Sequence, residues 1–449
     1  MGLIFLVLFA AAEITLVVLT FTKFGEKAAW LKNRAIIRAV EAALLLGIIL
    51  VPAVNMKWRF FLAMAFVAVR FLFDGISWLV RRGKISGMKK KIPSVFNCVF
   101  SVIFTGVALV PSFLFTNYNG LPTTGEFKVK ETSAILVDES RTDEFENDGS
   151  FREVPAHFYY PDAETGVYPI IVFSHGAFGY YQSNYSTYTE LASNGYVVVA
   201  LDHPHHSFFT KDTSGKMITV DEGFINDAMS TDGSLSNDEL FNLSQSWLEL
   251  RVEDENFVLD TVKEAKSGNS LTEAWHAEDK ETILKVLAKT DTGKIGLMGH
   301  SLGGASSVAL GRERKDIGAV IDLDGTMIGE VTGVKDGKCV YDTKAYPIPV
   351  LAAYTENNNN EIDSESDGDY LFVNKYMIDN AANGKRISFK SAGHMDFTDL
   401  PLISPSLAKM LGSGDVDKEE MLNSLNGVVL NWFNYYLKNE GTLNIQDKY

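Results

Sequence analysis

Lys294-Ile295-Gly296-Leu297-Met298-Gly299-His300-Ser301-Leu302-Gly303-Gly304-Ala305-Ser306-Ser307-Val308-Ala309-Leu310 is the stretch that decides the fold. An apolar run leads into Gly299-His300-Ser301-Leu302-Gly303-Gly304, and a run of small residues leads out. That order predicts strand, sharp turn and helix, the setting of a nucleophile elbow. Glycines flank the serine because strand and helix pack closely at such a turn, where a Cβ would clash. The strained turn is expected to hold the Ser301 hydroxyl above the sheet edge, at a helix N-terminus whose amides favour an anion.

A nucleophile of this kind needs a base, an orienting carboxylate and an oxyanion hole, in the chain order serine, acid, histidine. Ile317-Gly318-Ala319-Val320-Ile321-Asp322-Leu323-Asp324-Gly325 reads as the next buried strand, ending in an acidic turn. Asp324, at its C-terminal end where open sheets meet ligands, is the expected acid. Asp322 is the rival, or else a carboxylate that anchors the loop. His394 follows the strand-like Arg386-Ile387-Ser388-Phe389-Lys390 and is the expected base. His157 and His276 have no such setting. The oxyanion donors should be the amides of Leu302 and of Ala177, the latter in the loop after the strand Tyr168–Ser174. Gly176 lets that backbone turn its amides inward, and His175 braces the loop by hydrogen bonds.

Phe173-Ser174-His175-Gly176, Gly299-His300-Ser301-Leu302-Gly303-Gly304, Asp322-Leu323-Asp324 and Gly393-His394-Met395-Asp396-Phe397 together resemble the platelet-activating-factor acetylhydrolase family and its bacterial dienelactone-hydrolase-like relatives. The resemblance runs from about Phe151 to the C-terminus. It implies an α/β-hydrolase fold, a Ser301–His394–Asp324 triad and metal-free hydrolysis of carboxylic esters. The family's Glu-His-Arg segment reads here as Asp202-His203-Pro204-His205-His206-Ser207, a departure that bears on substrate choice.

The N-terminal quarter has a different character. Residues 1–22, 35–54, 60–80 and 94–115 are four apolar runs near the ~20 residues that cross a bilayer. They are too many for a cleaved signal peptide. Lys23, Lys27, Lys32 and Arg34 follow the first run, and Arg81, Arg82, Lys84, Lys89, Lys90 and Lys91 the third, whereas the loop between the second and third has only Lys57 and Arg59. The first and third loops are therefore expected in the cytoplasm, with the N-terminus and everything after Phe115 outside. Glu13, Arg70 and Asp74 lie within the runs; they are expected to form a structural cluster or, alternatively, to line a polar pathway.

Charge divides in the same way. Residues 1–117 carry 14 Lys+Arg against 4 Asp+Glu, and the remainder 27 against 53. So acidic a second part excludes nucleic acid as a partner and is repelled by anionic lipid surfaces. Cys98 and Cys339 are the two cysteines, which rules out a disulfide framework. The fold class is thus read as a four-helix transmembrane region, residues 1–117, before an α/β domain of mostly parallel sheet, residues 118–449.

Within that domain Phe127–Val137 and Arg152–Tyr160 alternate as leading strands. Tyr185–Asn194 suits a helix and Tyr196–Leu201 a buried strand. An insertion spans about 208–293; its second part is helical from Trp247 through Val262. Its first part, Phe224–Leu243, is a mobile cap or a solvated loop. The acidic run Glu356–Asp369 lacks calcium-loop spacing and is expected to be a solvated loop, and Met421–Leu437 to be an amphipathic helix. No cofactor or metal is expected. The substrate is expected to be a small-molecule or lipid ester; oligomeric state is open. An acyltransferase using the same triad, or a membrane receptor or scaffold built on a hydrolase-like domain, is the alternative.

Overall fold

The computed structural model describes every residue except 53 and 232–234. Ala53, near the end of the second apolar run, and Asp232–Ser234, within the expected cap, therefore lie outside the described residues. The chain forms two units, one of residues 1–119 and 401–408 and one of 120–400 and 409–449. That division falls two residues after the one drawn from sequence and gives the first unit a short segment from late in the chain.

The first unit is helical: α1 (Gly2–Leu19), α2 (Lys27–Leu50), α3 (Phe61–Arg81), α4 (Lys91–Ala108) and α5 (Val110–Leu114). Phe5, Phe9, Leu45, Phe60, Val67 and Leu109 make its core. Leu72, Phe73, Ile76, Phe96 and Ile103 are nonetheless exposed, so the helices are apolar outside as well as inside. Among the described residues three helices, Gly2–Leu19, Lys57–Arg81 and Lys91–Ala108, are long and apolar enough to cross a membrane. α2 is long but begins well before Ala35, taking in Lys32 and Arg34, which the sequence reading left in a loop. The fourth run is divided at Leu109, where α5 starts with Pro111 in its first turn.

The charged residues differ from the expected Glu13–Arg70–Asp74 cluster. Glu13 pairs with Arg70 at 2.5 Å and with Arg38 at 2.6 Å. Asp74 pairs instead with Arg38 at 3.1 Å and with Arg34, and Glu41 takes Arg38 at 2.8 Å.

The second unit is built on β1 (Val129–Thr142), β2 (Phe151–Pro161), β3 (Tyr168–Ser174), β4 (Val197–Leu201), β7 (Trp275–His276), β8 (Thr290–His300), β9 (Ile317–Leu323), β12 (Val350–Thr355) and β13 (Gly384–Phe389). Two hairpins, β5 (Phe209–Lys211) with β6 (Met217–Thr219) and β10 (Val331–Lys335) with β11 (Lys338–Tyr341), stand apart. The sheet order is β13-β12-β9-β8-β3-β4-β2-β1-β7. From β13 to β4 every pairing is parallel; β2, β1 and β7 add antiparallel pairs. β3, β4 and β12 are buried along their whole length, as strands covered on both faces must be.

Alternation along β3 shows the two covers. Ile170 and Val172 cluster with Val258, Leu259 and Val262 of α8 (Asn237–Gly268). Phe173 points the other way, its ring 4.9 Å from that of Tyr188 in α6 (Tyr185–Ser193). α10 (Leu302–Glu313) packs with α8, and α15 (Lys418–Phe433) with α6. The other helices of this unit are α7 (Glu222–Ser230), α9 (Lys280–Ala288), α11 (Glu356–Ser364) and α12 (Phe372–Asp379); the short α13 (Leu400–Ile403) and α14 (Pro405–Met410) carry the 401–408 segment that belongs to the first unit.

Two expectations are corrected. The insertion helix starts at Asn237, ten residues before Trp247, behind a capping box in which Ser236 and Glu239 satisfy each other's backbone amides. The acidic run opens as helix α11, not a loop, because the Thr355 side chain accepts from the Asn358 amide at 3.0 Å and caps it. The cap region contributes α7, anchored by Phe224, whose ring stacks on His206 at 3.8 Å.

Candidate active site

Ser301 lies between β8 and α10 with φ 55° and ψ −123°, a conformation that costs a non-glycine residue free energy. Its neighbours explain how the turn is held. A Cβ on Gly299 would lie 2.1 Å from the Gly303 carbonyl, and one on Gly303 would lie 2.0 Å from the Ser174 carbonyl oxygen. One on Gly304 would meet Asp322 Oδ1 at 1.9 Å. Three glycines therefore let the helix start directly against two strands. The Ser301 amide donates to Leu323 O at 2.8 Å, which ties the elbow to the end of β9.

The sheet order locates this turn. After β3 the chain goes to β4 on one side and later to β8 on the other, so the order reverses between β3 and β8. Ligands of open α/β sheets bind outside the C-terminal strand ends at such a switch. Ser174–Ala177 leave β3 there, and His300 and Ser301 leave β8.

Asp324 directly follows β9 and also has a positive φ of 55°. Its Oδ2 lies 2.7 Å from His394 Nδ1. Oδ1 accepts from the Thr355 amide at 2.9 Å, and Oδ2 also accepts from Asn358 Nδ2 at 2.9 Å. His394 is partly exposed and begins a turn whose Asp396 is fixed by Ser413, Gly414 and Lys418. His300 Nε2 lies 3.1 Å from the His394 carbonyl oxygen, with the two rings 4.5 Å apart. Asp324 and His394 are thus in direct contact, and His394 adjoins the residue before Ser301. The Ser301 hydroxyl itself makes no hydrogen bond among the described residues.

Asp322 is differently employed. It is fully buried, accepts from the Gly325 amide at 3.1 Å and from Tyr354 Oη at 3.3 Å. Burial and the nearby charge of Asp324 push its carboxyl up to about 8. It anchors the loop rather than meeting His394.

The β3 loop closes the other side. A Cβ on Gly176 would lie 3.2 Å from Ser301 Cβ, so this backbone passes beside Ser301. Ala177 follows it. The Leu302 amide opens α10, where first-turn N–H groups have no acceptor within the helix. His175 braces the loop as read from sequence: Nδ1 lies 2.7 Å from Gly176 O and Nε2 lies 2.8 Å from Ser207 Oγ.

Sequence reasoning missed a buried polar scaffold beneath these groups. Ser174 Oγ lies 2.8 Å from His203 Nε2, and His203 Nδ1 lies 3.0 Å from Asp254 Oδ2. Arg152 joins Asp254 at 2.7 Å. From the same turn of α8, Arg251 donates to the His175 carbonyl, and Glu255 accepts from Ser306 and from Ser307 of α10. Burial lowers the His203 imidazole to about 4 and Arg251 to about 9, and raises Glu255 to about 8. Asp254 stays ionised despite burial, because Arg152 and His203 hold it well below the usual carboxylate range. Spacing i, i+3, i+4 on a helix was the available signal. Among the described residues no three His, Cys, Asp or Glu side chains are grouped to hold a metal ion.

Comparisons with known proteins agree with this architecture. A family profile described as "Platelet-activating factor acetylhydrolase, isoform II" matches residues 153–446, well over half of the chain. A probable 1-alkyl-2-acetylglycerophosphocholine esterase of Arthroderma benhamiae is 26% identical over 289 residues, 61% of this chain and 62% of that protein. A platelet-activating factor acetylhydrolase of Gallus gallus is 24% identical over 281 residues, 60% of this chain and 62% of that one. The chain therefore matches less than two thirds of the length of either relative. Among solved structures, a ferulic acid esterase from Streptomyces cinnamoneus superposes with a TM-score of 0.53 at 18% identity, covering 72% of this chain and 93% of that chain. At that identity the likeness shows the fold, a mostly parallel sheet with helices on both faces.

Proposed function

Because this chain belongs to the platelet-activating factor acetylhydrolase, isoform II, family, we propose that it is a serine ester hydrolase acting through Ser301, His394 and Asp324. The observation that carries the reading is the 2.7 Å contact of His394 with Asp324, beside a serine held in a strained turn at the sheet's switch point. Asp324 fixes the imidazole with Nε2 directed away from the carboxylate and stabilises it once charged. His394 takes the Ser301 proton as the hydroxyl attacks an ester carbonyl, then returns it to the leaving alcohol. The Ser301–His394 hydrogen bond forms in the substrate complex, since such bonds tighten only there in many enzymes. The amides of Leu302 and Ala177 bind the oxyanion. Water then releases the acyl enzyme by the same relay.

The helical unit anchors the protein in a membrane, with the catalytic unit outside the cytoplasm. The apolar helices Gly2–Leu19, Lys57–Arg81 and Lys91–Ala108, with the 24-residue α2 as the fourth crossing that this topology requires, and the basic residues at the α1–α2 and α3–α4 junctions support this reading. Tethering beside a bilayer, and the acetylglycerophosphocholine ester in the name of one relative, favour lipid-derived or short-acyl esters as substrates. Hydrolysis of a p-nitrophenyl ester series by the full-length protein and its Ser301→Ala variant tests the reading. Retained activity in the variant contradicts it.

A further inference from the structure

The helical unit contains a cavity of about 290 Å³ that the ester chemistry does not use. Arg34 and Arg38 of α2, Arg70 and Asp74 of α3 and Glu13 of α1 stand on its wall. Placing such charges inside apolar helices is costly and marks function by default. Three guanidinium groups pair directly with two carboxylates along this wall, Arg70 and Arg38 with Glu13, and Arg38 and Arg34 with Asp74. Glu41 binds Arg38 from outside the lining, and with it the network is neutral.

Hydrogen-bond accounting sharpens the point. Arg34 Nε and Arg70 Nη1 are buried without an acceptor. The wall is thus short of acceptors rather than donors. An oxyanion supplies acceptors and adds no donors, and it matches the guanidinium fork geometrically. A cation would worsen the surplus.

The mouth of the cavity is different. Val69, Phe73 and Phe100 line it and are 65%, 66% and 63% exposed. Asn97, also exposed, stands beside Phe100 in the lining, and Trp30 lies deeper, buried. A charged interior opening through an apolar rim fits a molecule with an anionic head and a hydrocarbon chain.

We infer that the helical unit holds a second ligand site, for an amphiphile whose carboxylate or phosphate head reaches Arg34 and Arg70 and whose apolar chain lies along Val69, Phe73 and Phe100. This goes beyond ester hydrolysis and does not depend on Ser301.

Saturation binding to the full-length chain in neutral detergent tests it, in a Ser301→Ala background so that no probe is cut. The probes are tritiated oleate, oleoyl lysophosphatidate and, as the neutral control, oleyl alcohol. A single saturable site for oleate or for lysophosphatidate is expected, with oleyl alcohol weaker by about tenfold or more. Preference between the two anions identifies a carboxylate or a phosphate head. Arg70→Gln should weaken the anion by about tenfold. Asn97→Trp, at an exposed position that fills the mouth without touching the charges, should do the same even if Arg70→Gln misfolds. Unsaturable uptake, equal binding of oleyl alcohol, or unchanged binding in Asn97→Trp would overturn the site.

Discussion

His394 Nδ1 meets Asp324 Oδ2 at 2.7 Å, whereas Asp322, two residues earlier on the same strand, is turned toward Tyr354 and the Gly325 amide. The two carboxylates sit side by side in sequence and do different work. In the proposed mechanism Asp324 is the carboxylate that orients His394 and stabilises its imidazole once charged. Asp322 is pushed up to about 8 by burial and by Asp324, which favours its neutral form.

Asparagine substitutions should therefore separate them. Asp324→Asn offers His394 the wrong hydrogen-bonding partner and should lower kcat by about ten-thousandfold. Asp322→Asn replaces one neutral group by another and should leave kcat within about tenfold, the worth of one hydrogen bond. Steady-state kinetics with p-nitrophenyl acetate measure both.

Asn358 donates to the same Asp324 oxygen that faces His394. Asn358→Ala removes that donor and should lower kcat by about tenfold, the scale of a hydrogen bond to a charged group, with KM little changed. An unaltered kcat would make the contact incidental.

Gly303→Ala forces a methyl group to within 2.0 Å of the Ser174 carbonyl oxygen, where only backbone can yield. The variant should lose roughly 3 kcal/mol of stability or more. Denaturant unfolding of the purified protein gives the difference.

Glu255, raised by burial from 4.5 to about 8, binds its proton more tightly folded than unfolded. The folded chain then holds the extra proton between those values, so stability falls as pH rises through the interval. Its contribution is fully present below about 4.5 and is lost as pH passes about 8. Glu255→Gln cannot ionise. Its Tm relative to the parent should therefore climb from pH 5 to pH 9, and a flat difference would contradict this assignment.

Much of the candidate site could be read from the chain because its determinants are local. The glycines at 299, 303 and 304 declare a close strand–helix junction, Asp324 follows an apolar strand, and His394 follows the strand-like Arg386–Lys390. What the chain hid depends on tertiary packing or on caps. Asn358 sits in a polar run that reads as solvent-exposed until Thr355 caps it into helix. Ser236 and Glu239 signalled the true start of α8, yet the polar residues after them masked it. Arg251, Asp254 and Glu255 look like an ordinary charged helix face; only the fold buries them. Arg34 reads as a loop charge because apolar content, not helix length, draws the boundary of the second run.

The central claim is that Ser301 is an activated nucleophile. Fluorophosphonate labelling of the full-length protein, with the modified peptide mapped by mass spectrometry, tests it most directly. The account predicts covalent labelling at Ser301 and none in His394→Ala. An unlabelled parent protein, or equal labelling of the Ser301→Ala variant, would contradict it.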